Sequence, residues 1–181
     1  WPGGDPEYPI EPISRAAAKL REALTHLDPP LAPGSSALDV GAAPGGFTSV
    51  LLDRGARVLA IDPAPLDARL AGRPGLTAFR GYADDFPLER VPALDLITCD
   101  AVCRPADVAR FLARFVTRLS PSGRAIITLK LRPAPPPGEQ IRGAAAVFEP
   151  LLALERVRHL FANRCEVTAF FRAHAAGARG A

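Results

Sequence analysis

Lysine is scarce in this basic chain. Of its 22 lysine and arginine residues, only Lys19 and Lys130 are lysine. Arginine stays protonated in proteins, whereas lysine can lose its proton, so the two residue types offer different chemistry. The two positions at which arginine is not used are therefore candidates for proton transfer, provided that other features place them beside a ligand.

The chain also lacks the sequence features of several protein classes. No apolar run approaches the ~20 residues of a membrane span, and no basic-then-apolar secretory pattern begins the chain, so we expect a soluble, cytoplasmic protein without membrane contact. Cys99, Cys103 and Cys165 fit neither a disulfide framework nor a zinc spacing, which predicts reduced cysteines and no metal site. Methionine is absent and the chain begins at Trp1, so we expect it to be a domain of something longer.

Length and proline placement divide the chain into three parts. The 181 residues suit a single domain, and 48% hydrophobic residues are enough to fill one core. Four prolines lie within residues 1–13, which predicts an extended N-terminal arm. Residues 14–172 are predicted to form the catalytic domain, and residues 173–181 a disordered tail.

Positive charge is concentrated in the second part of the sequence. Residues 101–181 contain 13 basic and 5 acidic residues, against 9 and 14 in residues 1–100. Such a field favours a polyanion such as RNA. Arg110, Arg114 and Arg118 are spaced four apart on a predicted helix, however, and the simpler interpretation is that they form its solvated face.

The stretch from Ala37 to Leu52 combines a buried strand, a glycine-rich turn and the start of a helix. Gly41, Gly45 and Gly46 leave room for a ligand to approach the backbone, and the helix N-terminus directs free N–H groups at that position. Asp62 follows the next apolar run and suits a ribose diol, although it could instead cap the following turn. These features indicate a nucleotide-type ligand and leave a nicotinamide or an adenosyl compound open.

Strands and helices alternate along the rest of the chain, which predicts an α/β fold with a doubly wound, mostly parallel sheet. The last two strands are too close in sequence for a crossover and are predicted to be antiparallel. Predicted strands lie near 37–40, 58–61, 76–80, 94–98, 125–131, 156–160 and 166–171, and predicted helices near 16–27, 47–52, 66–70, 105–119 and 140–154. Ligands of such sheets bind beyond the carboxyl ends of the strands.

Several motifs, in order along the chain, resemble the FtsJ-type ribose 2'-O-methyltransferases. They are ISRAAAKLREAL, DVGAAPGGFT, AIDPAPL, Asp100 after an apolar strand, TLKL around Lys130, and NRCEVTAFF around Glu166. The motif sequences most resemble those of the ribosomal RNA large subunit methyltransferase M group, whose members carry an additional N-terminal RNA-binding part.

The resemblance implies a Rossmann-like methyltransferase fold, S-adenosyl-L-methionine as cofactor and ribosomal RNA as substrate. It also implies a catalytic set of Lys19, Asp100, Lys130 and Glu166, with Lys130 as the candidate base. Phe47 stands where the closest group has tryptophan. Tyr82 stands where the family has an aspartate that contacts the adenine, so Tyr82 or Asp84 is expected to make this contact. The implied cofactor-binding residues are Ser14, Gly41, Ala43, Pro44, Gly45, Gly46, Phe47, Asp62, Tyr82, Asp84 and Asp100.

Two other functions remain open at this point. A catalytically silent RNA-binding relative would keep the fold, but a complete catalytic set argues against it. A nicotinamide-dependent oxidoreductase would need a different glycine spacing, because the turn does not follow G-x-G-x-x-G.

Overall fold

A seven-stranded sheet organises the protein in the computed structural model, which describes residues 12–174. The strand order is β3-β2-β1-β4-β5-β7-β6. Strands β1 to β5 are parallel, while β7 pairs antiparallel with both β5 and β6. The strands are β1 Ser36–Val40, β2 Arg57–Asp62, β3 Leu76–Arg80, β4 Leu94–Cys99, β5 Leu119–Lys130, β6 Leu152–Arg158 and β7 Glu166–Ala173.

Four α-helices cover the two faces of this sheet. They are α1 Ala16–Leu24, α2 Gly46–Asp53, α3 Pro105–Val116 and α4 Pro137–Phe148. Helices α1 and α2 contribute Leu20 and Leu51 to one core, and α3 and α4 contribute Phe115 and Phe148 to the other. The predicted fold, a mostly parallel doubly wound sheet with a terminal antiparallel pair, is confirmed. Within residues 12–174, none of the helices is long and apolar enough to cross a membrane.

Several predicted boundaries are wrong, mainly at prolines. Helix α4 begins at Pro137 rather than near residue 140, because proline is favoured in a first helical turn, and it ends before Pro150, which cannot continue it. The chain released there forms β6 from Leu152, earlier than expected. Strand β5 begins at Leu119 rather than near residue 125, and a register shift against β4 between Leu94 and Leu96 accommodates the longer strand.

The predicted ends of the domain also differ in detail. Helix α1 ends at Leu24 rather than at residue 27, and Arg15 occupies its N-cap position. Strand β7 runs to Ala173, and the ring Nε2 of His174 lies 2.8 Å from the carbonyl oxygen of Glu149. The arm predicted for residues 1–13 and the tail predicted for 173–181 otherwise lie outside the described residues.

Candidate active site

The glycine turn connects β1 to α2 at the carboxyl edge of the sheet. Gly41 and Gly45 have φ angles of 74° and 113°, a region that side chains disfavour. A Cβ atom at Gly41 would lie 2.8 Å from the Cβ atom of Ala101, so the turn passes closely over the connection that follows β4. The turn and the first residues of α2 therefore form one wall of a crevice.

Four charged side chains meet across this crevice. Lys19 Nζ donates hydrogen bonds to both carboxylate oxygens of Asp100, at 3.0 and 2.9 Å, and to Glu166 Oε1 at 2.8 Å. Lys130 Nζ donates to Asp100 Oδ1 at 2.7 Å and lies 4.0 Å from Glu166 Oε2. Both ammonium groups thus contact the same oxygen of Asp100, with Glu166 beside them.

The fold brings these residues together from distant parts of the chain. Lys19 lies on α1 next to Leu20, which packs in the core, and the Lys19 side chain is itself buried. Asp100 directly follows β4. Lys130 ends β5 and Glu166 begins β7, and these two residues are direct partners in the antiparallel register. Three strand ends and one helix therefore fix the cluster.

Burial and mutual contact shift the acid–base properties of two of these groups. Burial alone would lower the pKa of Lys19, but hydrogen bonds to Glu166 and Asp100 hold it above its ordinary value. Burial alone would raise the pKa of Asp100, yet the hydrogen bonds from Lys130 and Lys19 leave it below its usual range. The cluster consequently favours a charged Lys19 and an ionised Asp100.

Two cavities meet at Lys130. The first, of about 370 Å³, is the crevice between α1, the glycine turn and the four charged residues. The second, of about 740 Å³, lies between the loops that follow β4 and β5 and is lined by apolar groups such as Val102 and Leu131. Lys130 lines both cavities and therefore lies where they adjoin.

The family model described as FtsJ-like methyltransferase matches residues 12–127, from the start of α1 into β5. The chain belongs to this family.

Curated relatives of this FtsJ-like chain extend well beyond it. The ribosomal RNA large subunit methyltransferase M of Halorhodospira halophila is 37% identical over 177 residues, covering 95% of this chain and 51% of the relative. The protein of the same name from Thauera aminoaromatica is 35% identical over 186 residues, covering 94% of this chain and 49% of the relative. The chain thus spans about half the length of the curated relatives it matches.

Solved structures support the fold at lower identity. A fibrillarin/Nop5p complex contains a chain that superposes with a TM-score of 0.70 at 17% identity, covering 86% of this chain and 82% of that one. At this identity the likeness shows the Rossmann-like methyltransferase fold alone.

Most of the predicted cofactor residues in this FtsJ-like chain line the crevice. Those that do are Ser14, Gly41, Ala43, Pro44, Gly46, Phe47 and Asp100. The Ser14 hydroxyl is buried and has no hydrogen-bond partner among residues 12–174. Gly45 lies directly against the side chain of Leu70, and a Cβ atom at Gly45 would overlap with it.

Asp62 is bonded to the backbone at the end of β2. Its carboxylate accepts hydrogen bonds from the Ala43 amide at 3.0 Å and from the Ala64 amide at 2.7 Å. Asp62 therefore stabilises the turn that follows β2, as the alternative interpretation expected. Each carboxylate oxygen can accept a second hydrogen bond, so the ribose-binding role stays a prediction.

The two candidates for an adenine contact differ in their surroundings. Tyr82 is exposed, whereas the carboxylate of Asp84 pairs with Arg110 at 3.0 Å, and Arg114 donates to the Asp84 carbonyl. Arg110 and Arg114 therefore hold residues 83–85 against α3, so they are more than the solvated helix face considered above.

Sequence reasoning missed two groups of residues at this site. Arg15 and Arg164 line the crevice, and only the folded β6–β7 connection brings Arg164 there.

Asp39 lies fully buried beneath the glycine turn and accepts hydrogen bonds from Thr48 at 2.7 Å and Thr98 at 2.9 Å. Burial raises the pKa of Asp39 to about 6. An acid at the end of a buried strand was the available signal for Asp39.

Proposed function

We propose that this chain transfers a methyl group from S-adenosyl-L-methionine to a ribose 2'-hydroxyl of RNA, and that the RNA is large-subunit ribosomal RNA. The family membership supports a methyltransferase. The name shared by the curated relatives supports the RNA substrate. This chain matches about half the length of those relatives.

The crevice has the groups that such a cofactor requires. The buried Ser14 hydroxyl lacks a partner within residues 12–174 and can bond to the amino-acid end of the ligand. The amide groups at the start of α2 suit its carboxylate. Asp62 ends β2 and Tyr82 follows β3, at the carboxyl edge of the sheet where the ribose and adenine would lie. When bound, the cofactor supplies a methyl group on a sulfonium centre.

The chain's own residues then have to position the ribose hydroxyl and accept its proton. Lys130 in its neutral amine form accepts this proton while the hydroxyl oxygen gains the methyl group. Asp100 lies 2.7 Å from Lys130 Nζ and stabilises the ammonium group that forms. Lys19 fixes Asp100 and Glu166 through three hydrogen bonds, so the base stays oriented.

One observation carries this proposal above the others. Lys130 lies in the wall shared by the two cavities and contacts Asp100, the acid at the end of the central strand β4. A general base has to lie within hydrogen-bond reach of the proton that it accepts, and lysine, unlike arginine, is a residue type that can act in this way. The place of Lys130 beside both cavities suits this role.

The direct test is incubation of the chain with unmodified large-subunit ribosomal RNA and cofactor labelled in the methyl group. We expect label in RNA and a 2'-O-methyl position on mapping, and no label with Lys130→Ala. RNA binding without transfer would instead favour a catalytically silent relative. A thermal shift with a nicotinamide dinucleotide but not with S-adenosyl-L-methionine would contradict the cofactor assignment.

A further inference from the structure

The loop between β6 and β7 displays a phenyl ring to solvent. Phe161 is 98% exposed, more than the other large apolar residues of the described chain. Its neighbours behave differently, since Leu160 and Asn163 are buried. A single exposed apolar residue is ordinary in proteins, but a ring exposed to this extent leaves its face available for stacking against another aromatic group.

The backbone that carries the ring is held from several sides. The Phe161 N–H donates to Glu22 Oε2 of α1 at 2.8 Å. His159 Nε2 lies 3.2 Å from the carbonyl oxygen of Arg164, which closes the loop. The Leu131 N–H donates to the carbonyl oxygen of Cys165 at 2.8 Å, which ties the loop to β5. The ring therefore projects from a fixed support.

The loop that carries the ring borders the candidate active site, where two arginines line the crevice. Ala162 and Arg164 of the same loop line the crevice that contains Lys130, and Arg15 at the start of α1 lines it as well. In the part of the chain that the structure describes, neither arginine has a carboxylate partner. The guanidinium groups of Arg15 and Arg164 can therefore donate hydrogen bonds to the phosphate groups of a ligand.

From this arrangement we infer that Phe161 is a stacking platform for an unpaired base of the RNA substrate, with Arg15 and Arg164 contacting its phosphates. Unpaired bases stack on exposed aromatic side chains in proteins that bind single-stranded RNA, and arginines beside them follow the backbone. The inference rests on the proposed function, and it specifies that the RNA beside the target nucleotide is single-stranded.

Fluorescence anisotropy with a labelled single-stranded oligoribonucleotide tests the platform without any methyl transfer. Base–aromatic stacking corresponds to a loss of roughly 5- to 150-fold in affinity on truncation, which we expect for Phe161→Ala. Phe161→Trp should keep or increase the affinity. Leu154→Ala is the matched control, because Leu154 is also an exposed apolar residue, 42% exposed, on the edge strand β6.

Two further measurements separate stacking from charge. Arg164→Ala should reduce the slope of log affinity against log salt by about 0.7, the value for one phosphate contact with a single strand, whereas Phe161→Ala should leave the slope unchanged. Binding of an RNA duplex of the same sequence should be insensitive to Phe161→Ala, because its bases are already stacked.

Three results would overturn the inference. They are wild-type affinity of Phe161→Ala for the single strand, an equal loss of affinity in Leu154→Ala, and an equal loss of affinity of Phe161→Ala for duplex RNA. Because binding is measured without cofactor, these outcomes are independent of whether the chain transfers methyl groups. Thermal melting of Phe161→Ala should match the wild type, since the ring makes little contact with the fold.

Discussion

Replacing Lys19 with methionine tests whether the buried lysine holds the site together. The change removes one charge and three hydrogen bonds of 2.8 to 3.0 Å but keeps an unbranched side chain. Loss of one partner of a buried ion pair costs about 3–5 kcal/mol, because the other charge stays buried. Asp100 and Glu166 keep side-chain exposures of 16% and 15%, and Lys130 remains beside Asp100. Because these groups keep some contact with water and with Lys130, we expect Lys19→Met to lower the free energy of unfolding by about 3 kcal/mol, the lower end of that range.

The destabilisation should depend on pH. In the wild type the pKa of Asp100 is lowered, so its contribution to stability is present above the unfolded-state pKa and is lost as the pH falls through the folded-state value. The pKa of Lys19 is raised, so its contribution is present below its unfolded-state pKa and is lost as the pH rises through the folded-state value. The difference between wild type and Lys19→Met should be largest near neutral pH.

Urea unfolding followed by circular dichroism measures this difference, and thermal melting should show a decrease of about 6–12 °C for a domain of this size. Arg73→Met is the matched control, because it breaks an ion pair of 2.9 Å to Asp53 whose side chains are 38% and 52% exposed. It should cost at most about 1 kcal/mol. If Lys19→Met costs no more than Arg73→Met at neutral pH, or the same amount at pH 3 as at pH 7, the reasoning is refuted.

Three further variants test other parts of the site. Lys130→Arg keeps a positive charge that cannot give up its proton, so labelled-methyl transfer should fall at least about 100-fold with unchanged cofactor affinity by calorimetry; near-normal turnover would remove Lys130 from the base role. Gly46→Ala places a methyl group against Ser14 Oγ, so overpacking should cost about 1–3 kcal/mol in urea unfolding, and an equal cost in a Ser14→Ala background would contradict this cause. Asp39, with its pKa raised to about 6, becomes a buried charge as the pH rises through that value, at a cost of about 3 kcal/mol. Asp39→Asn should therefore gain stability relative to the wild type between about pH 4 and pH 6 and keep that difference at higher pH, and parallel pH curves would exclude this charge as the cause.

The positions of the charged residues could be predicted because they follow local rules. Asp100 and Lys130 each end an apolar strand, and the carboxyl ends of parallel strands share one edge of the sheet. Lys19 needed more than local pattern, since a lone lysine on an alanine- and leucine-rich helix is usually a surface residue. The resemblance to a known family supplied the missing information, and the structure brings Lys19 to Asp100.

Features that depend on distant pairing could not be predicted. Arg164 reaches the crevice because β7 lies between β5 and β6, and no local pattern specifies that order. The contact of Asp84 with Arg110 spans 26 residues and depends on how α3 packs, so the sequence alone left Asp84 free for a ligand. The end of α4 was misplaced because Leu151 and Leu152 continue an apolar pattern beyond Pro150.

The position of β7 has a consequence for synthesis of the protein on the ribosome. Glu166 follows Lys19 by 147 residues, and β7 occupies the space between two strands that are translated before it. While the chain is still emerging, β6 has no neighbour to join, and Lys130 faces no second carboxylate. Under the proposed function, methyl transfer is therefore expected only after β7 has been made.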